Sequence, residues 1–201
     1  MLTRLKKRVQ TILAAEAKAA HKIGLTPNMI SSVGIASALF SALAYAAWQI
    51  STHYILLAAF LLIFSGFCDA LDGTLARLCS QTTVFGGFLD SVLDRYADAV
   101  VYTGIILGKL CEIPWGLAAL VGSMLVSYTR SKAEAIGIKM ESIGLAERAE
   151  RIIILTIISL IATFWESERT MNYGLVLLAV LSNLTVLQRG LHVHRILKRK
   201  A

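Results

Sequence analysis

The chain has 201 residues, of which 56% are hydrophobic and only 16% are charged, and it carries a formal net charge of +7. Soluble domains carry about 25% charged residues, so this composition excludes an ordinary soluble globule, and the apolar content excludes intrinsic disorder. The length leaves room for one compact domain. With a mean hydropathy of +0.67, the chain is expected to be an all-α integral membrane protein.

The N-terminal segment has the pattern of a helix that lies on a membrane surface. Residues 2–22 alternate basic side chains such as Arg4 with apolar side chains such as Leu5 at helical spacing. No short apolar core with a small-residue cleavage site follows, as a signal peptide would require. We therefore expect an amphipathic interfacial helix over residues 1–24 and a transmembrane domain over residues 25–201.

The rest of the chain contains six stretches that are long and apolar enough to be transmembrane helices, since a span needs about 20 mainly apolar residues. Lys and Arg concentrate before the first stretch, between the fourth and fifth, and after the sixth. Because basic residues stay on the cytoplasmic side, both termini are expected at the cytoplasmic face of the cell membrane. The six stretches are residues 29–50, 54–77, 84–108, 115–136, 148–165 and 171–194.

All five aspartates fall between residues 69 and 98, inside or beside apolar stretches. Insertion scales give a cost of about 2.5–3.5 kcal/mol for an aspartate at mid-membrane, so these side chains are expected to face an interior site. Asp69 and Asp72 are spaced i, i+3, and Asp90 and Asp94 are spaced i, i+4, so each pair shares a helix face. Asp98 continues the second stripe one turn deeper, where a structural role is favoured over direct metal ligation.

Four carboxylates that share one site repel each other unless cations neutralise them. Oxygen ligands suit Mg²⁺ or Mn²⁺, and Mg²⁺ commonly binds through a few carboxylates together with substrate phosphates. Two such ions side by side suit a displacement at phosphorus. The sequence therefore predicts a site for Mg²⁺ or Mn²⁺, with two ions expected, at the cytoplasmic ends of the second and third spans.

The residues around the aspartates form a recognisable motif. The chain reads Asp-Ala-Leu-Asp-Gly-Thr-Leu-Ala-Arg over residues 69–77 and Gly-Gly-Phe-Leu-Asp-Ser-Val-Leu-Asp over residues 86–94. This pattern resembles the signature of the CDP-alcohol phosphatidyltransferase family. The resemblance implies an enzyme of phospholipid biosynthesis that transfers a substituted phosphate group from a CDP-linked lipid to an alcohol and releases CMP.

The same resemblance implies a role for individual residues. Asp94 would be the general base that takes the proton of the acceptor hydroxyl. The divalent ions would be held by Asp69, Asp72, Asp90 and Asp94. The CDP-linked lipid would be bound by Asn28, Met29, Ile30, Ser31, Asp69, Asp72, Gly73, Ala76, Arg77 and Thr83.

A second, basic group of residues bears on the acceptor alcohol. Arg and Lys beside an acidic, metal-binding cavity would suit a phosphorylated acceptor, although the same charges also fit a purely topological role. Arg189, within the last span, is not explained by topology alone. The acceptor-phosphate candidates are Arg130, Lys132, Arg148, Arg151 and Arg189.

The arrangement of this basic group resembles the branch of the family that makes phosphatidylinositol phosphate or archaetidylinositol phosphate, although Ala149 stands where that branch often has proline. The resemblance implies inositol 1-phosphate as the acceptor and a homodimer as the assembly. Glycerol 3-phosphate is the alternative acceptor. A cation transporter, with the aspartates as its transport site, is the remote alternative from another functional class.

Overall fold

The structure, a computed structural model, describes residues 13–140 and 143–200. Within these ranges the regular structure is entirely helical, and a helix lies in each of the six predicted stretches. Residues 13–22 form a helix (α1), whereas the predicted amphipathic segment before residue 13 lies outside the described residues. The other helices are α2 (Pro27–Ala46), α3 (His53–Leu78), α4 (Val84–Leu107), α5 (Ile113–Ala135), α6 (Arg148–Phe164) and α7 (Ser167–Lys200).

Among the described residues, three helices are long and apolar enough by themselves to cross a membrane, namely α2, α3 and α7. The other three depart from that criterion for visible reasons. Helix α4 carries the charged cluster that includes Asp90, Asp94 and Asp98, α5 ends in charged residues, and α6 has only 17 residues. The structure thus establishes an all-helical protein with at least three candidate spans in the described part of the chain.

The helix boundaries follow from local capping. Thr26 caps α2 by accepting a hydrogen bond from the backbone N–H of Met29 at 3.3 Å, and Pro27 occupies the first turn, where its missing N–H costs nothing. Helix α2 ends at Ala46, earlier than the predicted end at residue 50. The chain there forms a 3₁₀ turn over Trp48–Ile50, and Trp48 donates its indole N–H to the carbonyl of Gly108 at 2.7 Å.

Close helix contacts hold the bundle together around α2. Helix α2 packs against α3 and α4, α3 packs against α6, and both α5 and α6 pack against α7. A Cβ atom at Gly104 of α4 would come within 2.3 Å of the carbonyl oxygen of Ala42, so this helix crossing requires glycine. Deeper in the bundle, Tyr45 is hydrogen-bonded to Ser159 at 2.7 Å, which links α2 to α6.

Candidate active site

Helices α3 and α4 are consecutive in the chain and bring the aspartates of the two motif halves together. Asp69, Asp72 and Asp90 each offer a carboxylate oxygen, and these three atoms lie within 4.8 Å of one another. Divalent cations bind oxygen at about 2.0–2.6 Å, so one ion can contact three oxygens at this spacing. The donor set, composed only of carboxylates, fits a hard divalent cation.

Asp94 lies beside those three carboxylates and contacts two arginines. Its Oδ1 atom lies 2.8 Å from Nη1 of Arg148, and its Oδ2 atom lies 3.5 Å from Nη1 of Arg95. The side chain is largely buried at 19% exposure, yet it lines the same cavity as Asp69. A carboxylate held beside the metal-binding group by a guanidinium is in a suitable position to receive a proton from a bound hydroxyl.

Arg148, the first residue of α6, bridges the carboxylates of α3 and α4. Its Nη1 atom lies 2.6 Å from Oδ2 of Asp69 and 2.8 Å from Oδ1 of Asp94. The sequence predicted this arginine for the acceptor phosphate, and the structure adds that it contacts the aspartates directly. The side chain is 20% exposed, so the pairs lie in a partly desolvated site, where charge interactions are stronger than in water.

A second cavity, of about 230 Å³, opens between the start of α2, the end of α3 and the start of α4. Ser31 of α2 donates a hydrogen bond to the carboxylate of Asp72, which ties the two cavities together. A Cβ atom at Gly73 would lie 3.4 Å from Nη1 of Arg77, so glycine leaves this arginine free to extend along the cavity wall. Of the predicted lipid-binding residues, this cavity is lined by Asn28, Ser31, Asp72, Gly73, Ala76, Arg77 and Thr83.

The other two residues of the predicted stretch on α2 lie elsewhere. Ile30 is 5% exposed and packs in an apolar cluster with Cys68 and Leu75. Met29 is half exposed at the surface of α2. Ile30 therefore supplies packing between α2 and α3, whereas Ser31 supplies the polar contact to Asp72.

The predicted basic residues separate into two groups. Arg130 and Lys132 lie at the C-terminal end of α5, where Arg130 forms an ion pair with Glu134 at 3.0 Å with both side chains more than 40% exposed. Arg151, by contrast, is 3% exposed, and its Nη2 atom lies 2.7 Å from Oδ2 of Asp98. Arg148 and Arg151 therefore lie beside the aspartates, whereas Arg130 and Lys132 lie more exposed at the end of α5.

Arg189 of α7 is 2% exposed and fixes the connection between α5 and α6. It donates hydrogen bonds to the carbonyl oxygens of Val126 at 2.5 Å and Ile143 at 2.8 Å, and to the carboxylate of Glu147 at 3.2 Å. Thr185, one turn earlier, accepts the backbone N–H groups of Leu145 and Ala146, both at 3.1 Å. Helix α7 thus holds the segment that leads into Arg148.

Sequence reasoning did not find the hydroxyl groups that hold this site together. Ser123 donates to Asp98 at 2.9 Å, and Thr185 anchors the segment before α6. A serine or threonine inside a helix commonly bonds its own preceding turn, so the sequence offers no signal for a partner on another helix. Only the spacing of Asp98 from Asp94 indicated that further polar contacts lie deeper.

Residues 24–187 match the model of the CDP-alcohol phosphatidyltransferase family. This chain belongs to that family. The resemblance inferred from residues 69–94 is confirmed, and so is the prediction of a transferase. The four aspartates of the motif lie on α3 and α4, the two helices that the structure brings together.

Individual members of the family show how close the similarity is. The chain is 38% identical over 189 residues to an archaetidylinositol phosphate synthase of Pyrococcus horikoshii, covering 94% of each chain. It is also similar to the crystal structure of the phosphatidylinositol phosphate synthase of Mycobacterium tuberculosis with CDP-DAG bound, with a TM-score of 0.78 and 29% identity over 91% of this chain and 94% of the other.

The same mycobacterial enzyme has been solved in complex with manganese and citrate, with a TM-score of 0.76 and 29% identity over 90% of this chain and 88% of the other. In the present chain, the three carboxylate oxygens within 4.8 Å of one another form a donor set for a divalent cation. The prediction of a divalent-metal enzyme is therefore supported at the level of the metal class, by the family and by the donor atoms.

Proposed function

We propose that this protein transfers a phosphatidyl or archaetidyl group from a CDP-linked lipid to the hydroxyl of inositol 1-phosphate, with release of CMP. The observation that carries the proposal is the position of Arg148, which contacts Asp69 and also lies beside Asp98, the partner of the buried Arg151. The cavity that Asp69, Asp72, Asp90 and Asp94 line thus also presents the guanidinium of Arg148 to a phosphate. The family and the names of the relatives support the same chemistry.

The donor lipid would occupy the cavity of about 230 Å³ beside the aspartates. Asn28 and Ser31 on α2, with Gly73 and Arg77 on α3, line the room for a nucleotide, and Arg77 supplies a cation for its phosphates. Its volume is below that of a typical small-ligand pocket, about 300–1,000 Å³, so it suits the polar part of the donor. The acyl or isoprenoid chains would lie along apolar helix surfaces outside it.

The chemistry assigned to the site is a displacement at the β-phosphorus of the donor. Mg²⁺ or Mn²⁺ held by Asp69, Asp72 and Asp90, with Asp94 beside it, would supply charge stabilisation to the pyrophosphate, and we propose two ions. Asp94 takes the proton from the acceptor hydroxyl while the hydroxyl oxygen bonds to the β-phosphorus. The bond from that phosphorus to the bridging oxygen breaks, and CMP leaves with the electron pair.

The acceptor would bind on the arginine side of the site. Arg148 and Arg151 lie beside Asp98, and Arg189 lies behind the segment that precedes them. Arginine suits a phosphate because its planar guanidinium presents paired donors. The full acceptor set proposed here is Arg130, Lys132, Arg148, Arg151 and Arg189.

The proposal includes the arrangement in the membrane. Six helices, α2 to α7, would cross the bilayer, with residues 1–24 on its surface and residues 25–201 as the catalytic domain. Both termini and the site would face the cytoplasm, because the basic segments alternate with segments that carry few Lys or Arg residues. A homodimer is the proposed assembly, by analogy with the branch that the sequence resembles.

The test is CMP release by the detergent-purified protein with Mg²⁺ and a CDP-linked lipid, supplied in diacyl and in archaeal ether form. The acceptor panel contains inositol 1-phosphate, glycerol 3-phosphate, free inositol and serine. Release with inositol 1-phosphate alone is the expected result. Release with glycerol 3-phosphate alone would retain the chemistry and contradict the acceptor, and the absence of release with every acceptor would contradict the proposed function.

A further inference from the structure

Asp98 is the one aspartate of the five that lies outside the family signature. It is on α4, one turn beyond Asp94, and its side chain is 13% exposed. Burying a carboxylate costs free energy unless hydrogen bonds and opposite charges compensate for the lost water. The partners of Asp98 therefore indicate what this carboxylate holds.

Asp98 joins three helices through its two oxygen atoms. Its Oδ2 atom accepts a hydrogen bond from Ser123 of α5 at 2.9 Å and another from Nη2 of Arg151 at 2.7 Å. Its Oδ1 atom accepts one from Nε of Arg148 at 3.3 Å. Both arginines are on α6, so a single carboxylate on α4 orients two guanidinium groups of the neighbouring helix.

The consequence for Arg148 follows from the shape of its side chain. The guanidinium is planar and rigid, so fixing Nε against Asp98 also fixes the direction in which Nη1 points. That atom lies between Asp69 and Asp94. Without the contact at Nε, the guanidinium is free to rotate about its contacts with those two carboxylates, and its fixed orientation toward a ligand is lost.

Arg151 depends on Asp98 still more strongly, because it is the more buried of the two. Its side chain is 3% exposed, and its other terminal nitrogen, Nη1, donates to the carbonyl oxygen of Ala146 at 3.1 Å. Asp98 supplies the negative charge for this cation. The pair also connects α4 to the segment that precedes Arg148.

We propose that Asp98 is a positioning residue for the acceptor half of the site: it orients Arg148 and Arg151 to receive the phosphate of the acceptor, and it does not ligate the metal. The proposal rests on the proposed function, in which these arginines bind that phosphate. Under this proposal, four of the five aspartates surround the cations, and Asp98 orients the arginines that bind the acceptor.

The decisive variant is Asp98→Glu, which keeps the charge and moves the carboxylate by one methylene group. We expect the KM for inositol 1-phosphate to rise roughly 10- to 100-fold, the factor that corresponds to losing one charged hydrogen bond. The KM for the CDP-linked lipid should stay near the wild-type value. The affinity for Mn²⁺, measured by electron paramagnetic resonance of the free ion without any substrate, should also stay unchanged.

Ser123→Ala is the matched control, because it removes the third hydrogen bond to the same carboxylate and leaves both arginine contacts in place. Its acceptor KM should rise far less than that of Asp98→Glu, and its KM for the CDP-linked lipid should remain near wild type. Asp98→Asn is the second variant, which removes the charge without changing the shape. Its acceptor KM should rise at least as much as that of Asp98→Glu, and if it fails to fold, Asp98→Glu carries the test.

Three results would overturn the proposal. Weaker Mn²⁺ binding by Asp98→Glu would make Asp98 a metal ligand. An equal rise in both KM values would make it a general structural residue, and an unchanged acceptor KM would remove its role. A wrong acceptor assignment can be told apart from a wrong role for Asp98. If the wild-type protein is active with glycerol 3-phosphate alone, the same variants are compared with that acceptor. A selective rise in the KM for glycerol 3-phosphate then supports the positioning role.

Discussion

At the scale of single residues, the site assigns different environments to side chains of the same type. Asp69, Asp72 and Asp90 lie close enough to share a cation, Asp94 shares Arg148 with Asp69, and Asp98 lies deeper against Arg151. Identical carboxylates can therefore bind a metal, receive a proton or orient a cation, and the neighbours decide which. These three roles lead to different expectations for substitution.

Asp94→Asn should abolish turnover while the protein still binds the CDP-linked lipid. The amide keeps the shape but cannot accept the proton, and loss of a general base lowers the rate by roughly 10²- to 10⁴-fold. CMP release measures turnover, and the rise in Tm on adding the CDP-linked lipid measures binding. Asp72→Asn serves as the comparison, since it should lose both turnover and the rise in Tm. Near-normal turnover by Asp94→Asn would show that Asp94 is not the base.

At the scale of helices, the connections matter as much as the helices themselves. Helix α7 carries Thr185 and Arg189, which hold the segment from Ile143 to Glu147 against the bundle. That segment leads directly into Arg148 at the start of α6. The position of the proposed acceptor arginines at the start of α6 is therefore set in part by α7, a helix that comes later in the chain.

Thr185→Val should lower stability and weaken acceptor binding, because it leaves the backbone N–H groups of Leu145 and Ala146 without their hydroxyl acceptor. An unsatisfied buried donor costs about 1–3 kcal/mol, so the Tm in detergent should fall measurably. Thr185→Ser retains the hydroxyl and should remain close to wild type in both Tm and acceptor KM. Equal behaviour of the two variants would show that the hydroxyl does not hold this segment.

The crossing of α2 and α4 depends on the absence of a side chain at Gly104. Gly104→Ala should destabilise the protein by about 1–3 kcal/mol, the usual cost of overpacking, because its Cβ would lie 2.3 Å from the carbonyl oxygen of Ala42. Gly190→Ala is the control in α7, since no atom lies within 4 Å of its Cβ position. Thermal unfolding in detergent distinguishes them, and similar Tm values would argue against a tight crossing.

At the scale of the whole molecule, the basic residues are concentrated in alternate segments of the chain, and this distribution predicts an orientation in the membrane. The chain carries 20 Lys and Arg against 13 Asp and Glu, and basic groups precede α2, follow α5 and end the chain. The connection between α2 and α3, residues 47–52, has neither Lys nor Arg. An orientation with both termini in the cytoplasm satisfies the positive-inside rule for all these segments.

Cysteine labelling tests this orientation. In a background with Cys68, Cys79 and Cys111 replaced by alanine, Lys139→Cys should react with a membrane-impermeant maleimide only from the cytoplasmic side. Thr52→Cys should react only from the opposite side. Both positions are exposed, so access depends on the membrane alone. Labelling of both from one side would contradict the proposed six spans.

The helices and the grouping of the aspartates could be predicted from the sequence alone. Hydrophobic length predicted a helix in every stretch, and the spacing of Asp69, Asp72, Asp90 and Asp94 placed each pair on one face, because both properties are local. The family resemblance of residues 69–94 is confirmed. It was recognisable from the sequence because the motif occupies one continuous stretch of the chain.

The groups that surround those carboxylates depend on how the helices pack against one another. Arg148 reaches Asp69 across 79 positions of sequence, and Thr185 reaches the segment before α6 across about 40. Such partners depend on how helices cross and rotate, which side-chain periodicity along one helix does not specify. The sequence therefore predicted the candidate residues, whereas the packing of α6 determined which guanidinium groups meet the aspartates.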